Sequence, residues 1–127
     1  ESIDGQAADI EGWLTQADVF LAFGLKPENN GRKLNFPEDD SALGLYQKVL
    51  SVDPENARAK KGIAEIVNYF SGNAYQACEQ ERWTGCGFLV RTALAIEPGN
   101  VFLQDLEKAQ QAAERGEAYK LPPKPAQ

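Results

Sequence analysis

The 127-residue chain has no histidine, no methionine, only two cysteines and no long apolar run. Each absence removes a class of function. Without histidine, His-based catalytic triads and His-ligated metal sites are excluded. Without about 18 to 20 consecutive apolar residues, no helix can span a bilayer, so direct membrane insertion is not expected. Basic residues are scarce, 13 against 19 acids for a formal net charge of −6. Nucleic-acid binding needs a basic face and is not expected either. Nine of the acids lie in residues 1–40, against three bases there. A chain that starts at Glu1 and lacks methionine reads as a fragment or a processed product, from which a signal peptide can have been cut.

What is present is an internal repeat. Ala42-Leu43-Gly44-Leu45-Tyr46-Gln47-Lys48-Val49-Leu50-Ser51-Val52 runs into Asp53-Pro54-Glu55-Asn56, and Cys86 to Ile96 runs into Glu97-Pro98-Gly99-Asn100. Each copy is an amphipathic helix closed by acid-Pro-x-Asn, and the two prolines are 44 residues apart. Repeats of this kind are units that bury their faces by stacking.

The hydrophobic spacing predicts five helices in one domain. Residues 1–8 read as a flexible N-terminus. Asp9 is placed to cap a first helix with Ile10, Trp13, Leu14, Ala17, Phe20 and Leu21 inward, ending at Gly24. Residues 25–38 carry Pro27, Asn29, Asn30, Gly31 and Pro37 and read as a loop. Leu34 and Phe36 are expected to pin that loop as a cover, the alternative being a binding element. Asp39, Asp40 or Ser41 starts the second helix, which buries Ala42, Leu45, Tyr46, Val49 and Leu50 and stops at Pro54. Asn56 caps a long third helix with Ala59, Ile63, Ile66, Val67, Phe70, Ala74 and Ala77 inward. Inside it, Gly62 predicts a close helix contact and Gly72 a local bend. The fourth helix spans about Thr84 to Glu97. The fifth, Val101 to about Arg115, buries Phe102, Leu103, Leu106, Ala109 and Ala113 and turns Gln, Glu and Lys to water. The domain covers residues 9–116. Residues 117–127 read as a proline-rich linker or tail.

These residues resemble a divergent tetratricopeptide repeat of about two and a half units. The second unit matches at Phe70, Asn73-Ala74, Ala77, Cys86, Val90, Ala93 and Pro98. The first matches at Trp13, Gln16-Ala17, Phe20, Ala42, Tyr46, Val49 and Pro54. The small residues Ala17 and Ala74 allow close helix approach, and Trp13 and Phe70 fill the gap between hairpins. The spacing departs from the unit of about 34 residues in two places. Thirteen residues are inserted between Ala17 and Ala42, and ten between Pro54 and Phe70. The resemblance implies an all-α fold, a right-handed array of antiparallel helical hairpins forming an α-solenoid of five helices.

Within that repeat Cys78 and Cys86, eight residues apart, flank the hairpin turn symmetrically, which suits a disulfide. The alternative is two free thiols, Cys86 serving as the small residue the pattern wants. A bonded pair implies maturation in an oxidising compartment, such as a bacterial periplasm. A cytoplasmic location goes with free thiols.

No nucleophile, base and orienting partner can be assembled, so the chain is not expected to be an enzyme, and no cofactor or metal is expected. Glu38, Asp39 and Asp40 read as helix-capping acids. Arg58, Lys60 and Lys61 read as a solvated face, or as contacts for an acidic partner. The groove positions of the repeat family fall on Glu11, Leu14 and Asp18 in the first unit and on Asn68, Ser71, Tyr75 and Glu79 in the second. Their acidic tilt favours a protein or peptide partner with basic residues and a few apolar anchors. The resemblance therefore implies a protein-interaction module that scaffolds a bacterial envelope assembly. Two alternatives are a regulatory or substrate-recruiting appendage of a larger enzyme, and a structural or homo-oligomerising unit. The oligomeric state cannot be read from the sequence.

Overall fold

The structure, a computed structural model, describes residues 3–124, and the side chains of residues 9–124. The described residues form five α-helices and one 3-10 turn, with no strand among them. The helices are α1 (Ile3–Leu25), α2 (Ala42–Val52), α3 (Ala57–Glu79), α4 (Trp83–Ile96) and α5 (Val101–Glu114), and the 3-10 turn is Pro27–Asn29. The chain divides into two compact units, Glu1–Ile66 and Val67–Gln127, with the boundary inside α3.

In the first unit α1 begins at Ile3 rather than at an Asp9 cap. No proline lies ahead of Asp9, and Gln6, Ala7 and Ala8 are good helix formers. Leu14, Ala17 and Leu21 form the buried stripe facing α2. Ser41, not the acids before it, caps α2, its Oγ accepting from the Gly44 amide at 3.2 Å. Ala42, Tyr46 and Val49 are fully buried there.

The connection between α1 and α2 is docked by one of its two apolar residues. Leu34 is completely buried. It sits where a Cβ on Gly24 would come within 2.6 Å of it and of the Arg32 carbonyl. The Ala42 and Leu43 amides donate to the Lys33 and Leu34 carbonyls at 2.8 Å each. Phe36, expected to pin the loop as well, is 75% exposed. Bends at Leu34 and Asn35 break the extended alternation that would have put both side chains on one face.

In the second unit α3 closes with Glu81 in the left-handed region (φ 60°). The Arg82 amide donates to the Ala77 carbonyl at 2.9 Å and the Glu81 amide to that of Cys78 at 3.0 Å. This is a Schellman closure with a glutamate where glycine is usual. α5 ends the same way around Gly116 (φ 74°), with Glu117 donating to Ala112 and Gly116 to Ala113. α4 and α5 pack together. Their core joins Val90 and Leu106 to Ala74, Ala77 and the two cysteines of the α3–α4 turn. Residues 117–124 have no regular structure, but Leu121 packs against that core and Tyr119 meets Trp83 edge-on at 5.0 Å.

Both glycines inside α3 have a clear position. A Cβ on Gly62 would collide with the Tyr46 ring, which is the close contact expected. A Cβ on Gly72 would meet nothing within 4 Å, and α3 runs helical through it.

Candidate interaction surfaces

The acid-Pro-x-Asn repeat is duplicated nearly bond for bond. Asn56 Oδ1 accepts from the Ala59 amide at 2.9 Å, and Asn100 Oδ1 from the Leu103 amide at 2.9 Å. Asn56 Nδ2 donates to Asp53 at 3.1 Å, and Asn100 Nδ2 to Glu97 at 3.0 Å. The Asp53 and Glu97 amides cap the preceding helices, on Val49 and Ala93, at 2.8 and 2.9 Å. Each residue type has a task. The acid holds the Asn side chain, the Pro stops one helix, and the Asn starts the next.

Of the seven groove positions, three belong to the first unit and four to the second, and each set stands on its own. In the first unit Leu14 is core. Glu11 and Asp18 are both taken by Arg58, at 3.0 and 2.7 Å. Asp18 also accepts from the buried Tyr46 hydroxyl at 2.5 Å. Burial pushes the Tyr46 phenol well above its ordinary value, and the bond to Asp18 adds to this. The hydrogen bonds that Arg58 donates to Asp18 and Glu11 raise its own pKa further. Arg58 thus clasps α3 to α1 while its side chain stays 43% exposed. Lys60, beside it, pairs with Glu55 at 2.8 Å.

In the second unit Ser71 and Tyr75 are buried, Tyr75 lying 5.9 Å from the Phe102 ring. Asn68 and Glu79 are exposed. Cys78 and Cys86 form a disulfide with Cα atoms 5.2 Å apart, and both residues are buried.

Sequence reasoning missed Gln110, which the α5 pattern assigned to the wet face. It is 1% exposed. Its Nε2 donates to the Trp83 carbonyl at 3.1 Å and to Glu114 at 2.7 Å. Gly87 makes room for it, since a Cβ there would lie 2.7 Å from Nε2. The available signal was the spacing of Leu103, Leu106 and Gln110, which is helical.

One of the acids before α2 has a partner within the chain. Asp40 pairs with Lys33 at 2.7 Å, and no cluster of three or more metal-ligating side chains occurs among the described residues. No described helix is long and apolar enough to cross a membrane. Large apolar side chains stay exposed in both units: Val19, Phe23 and Phe36 in the first, Phe88, Val101 and Tyr119 in the second. In the second unit an open cleft of about 440 Å³ lies between α5 and the returning tail. Comparison with protein-family models, with curated proteins and with solved structures finds no match to this chain.

Proposed function

We propose that this chain is a non-enzymatic protein-interaction module, a tetratricopeptide-like array that scaffolds an assembly in a bacterial envelope. The observation that carries the reading is the duplicated acid-Pro-x-Asn connection. It sets successive helices by the same bonds in both units, the sequence-local device a repeat array requires. Exposed apolar side chains in both units supply anchors of the kind binding surfaces use. The disulfide favours an oxidising compartment, which supports the periplasmic setting.

The groove reading now rests on its exposed members in the second unit, Asn68 and Glu79 on α3. A partner with basic residues fits their charge. A pull-down from the native compartment comparing wild type with Asn68→Arg plus Glu79→Lys tests it. Both positions are solvent-facing, so the fold should be unchanged. Loss of the principal partner is the expected result. Identical capture by both proteins would reject the groove as the binding face.

A further inference from the structure

We infer that copies of this chain associate head to tail, with Phe36 of one molecule entering the α5–tail cleft of the next. Phe36 is an exposed aromatic on a fixed stalk. Leu34, two residues before it, is fully buried. Behind it the Asp40 amide donates to the Pro37 carbonyl at 3.1 Å, and Lys33 ties Asp40 at 2.7 Å. The Glu38 carbonyl lies where a Cβ on Gly44 would sit, so this stretch rests directly on α2. A large aromatic held in place by its backbone loses little freedom on docking and is the residue class that dominates binding energy.

The cleft matches it in size and chemistry. Its volume of about 440 Å³ falls within the range of about 300–1,000 Å³ that takes a compact ligand. Ala109, Ala112, Leu121, Pro122 and Pro123 give it apolar walls, and Tyr119 offers an aromatic ring. Lys108 and Lys120 line it as well, against a single acid, Asp105. Both lysines are exposed, and among the described residues neither is in an ion pair. Phe36-Pro37 is followed by Glu38 and Asp39, both exposed and likewise outside those pairs. An apolar tip followed by two acids thus meets an apolar cleft with two lysines.

The charge of the whole chain is distributed to suit. Residues 1–66 carry twelve acids and seven bases, residues 67–127 seven acids and six bases. Contacts between unlike units repel less than contacts between two first units. Knob and cleft are different surfaces, so the interface is heterologous and each assembly keeps one free knob at one end and one free cleft at the other.

Sedimentation velocity without reductant, over a wide concentration range, is the test. Wild type should grow in mass with concentration. Phe36→Ser and Lys108→Glu plus Lys120→Glu should each weaken association about tenfold or more, with unchanged helicity and melting. An equimolar mixture of the two variants should form a dimer and stop there, since only one knob and one matching cleft survive. A wild type that stays monomeric would overturn the proposal while leaving the partner-binding function standing. So would association indifferent to either variant, or a mixture that does not pair.

A wild-type measurement covers the case of a misfolded variant. Isotope-labelled and unlabelled protein are mixed and treated with a carbodiimide. Mixed-isotope peptides joining Glu38 or Asp39 to Lys108 or Lys120 are expected. Cross-links elsewhere only would sink the pairing.

Discussion

The two units solve the same problem, holding a helix to its neighbour, by opposite means. In the first, α1 and α2 are separated by a long connection, and distant residues do the fastening. Tyr46 reaches Asp18 across 28 residues, and Arg58 reaches Asp18 and Glu11 across 40 and 47. In the second, α3 and α4 are separated by a tight turn and fastened by a covalent bond across eight residues. A short loop permits a staple, because its ends are already close. A long loop exposes its backbone and needs an internal anchor, which Leu34 provides.

The comparison can be broken first at that anchor. Leu34→Ala should cost about 3 kcal/mol, the range for truncating a fully buried leucine, whereas Phe36→Ala should leave denaturant midpoints unchanged. Equal effects from both would mean that the loop is not held by Leu34.

Next in size is the staple. Replacing Cys78 and Cys86 by Ala should cost about 2.5 kcal/mol, the loop-closure contribution of so short a ring. Hydrogen exchange should speed up in residues 67–124 and stay constant in residues 9–66. Uniform acceleration would show that the two units unfold as one.

The two α3 glycines sharpen the contrast inside a single helix. Gly62→Ala must displace the Tyr46 ring and should destabilise by about 2 kcal/mol. Gly72→Ala meets open space and should stabilise by about 1 kcal/mol. Thermal melts of the two variants should move in opposite directions.

The smallest effect is Tyr46→Phe, about 1 kcal/mol for a lost hydrogen bond, and it carries a pH signature. Below the ordinary phenol value of 10.0 the folded and unfolded chains both keep the Tyr46 proton, and its contribution is intact. Above that pH the unfolded chain releases the proton while the folded chain, with its raised pKa, retains it. Unfolding is then favoured, and stability falls as pH rises. The wild type should therefore lose stability above pH 10.0 more steeply than the variant. Parallel curves from chemical denaturation would contradict the burial of this hydroxyl.

How much of this was legible follows from distance along the chain. The caps at Asn56 and Asn100, the stops at Pro54 and Pro98, and the α3 stripe depend on neighbours within a turn or two, and the sequence displays them. The Cys78–Cys86 bond was legible as one of two alternatives because its partners are close. The Asp18–Arg58–Tyr46 cluster was not, because no local pattern joins residues from three helices; Asp18 read as groove and Arg58 as surface. Gln110 was misplaced because its polarity outweighed its phase. Phe36 was misplaced because apolar character alone does not say which of two loop residues is buried, and with bends at Leu34 and Asn35 it stays outside. The hydrophobic spacing predicted the five helices and their connections, and the arrangement of the hairpins into an array stays within the proposed function.

The burial of both disulfide sulfurs has a use as an experimental clock. Exchange requires a thiolate to reach a sulfur, and Cys78 and Cys86 are 1% and 0% exposed. A mild external thiol must wait for the α3–α4 turn to open. Under native conditions its reduction rate, divided by that of an unstructured peptide with the same bond, gives the opening equilibrium of that turn. The chain thus carries its own probe of local breathing, readable with no label attached.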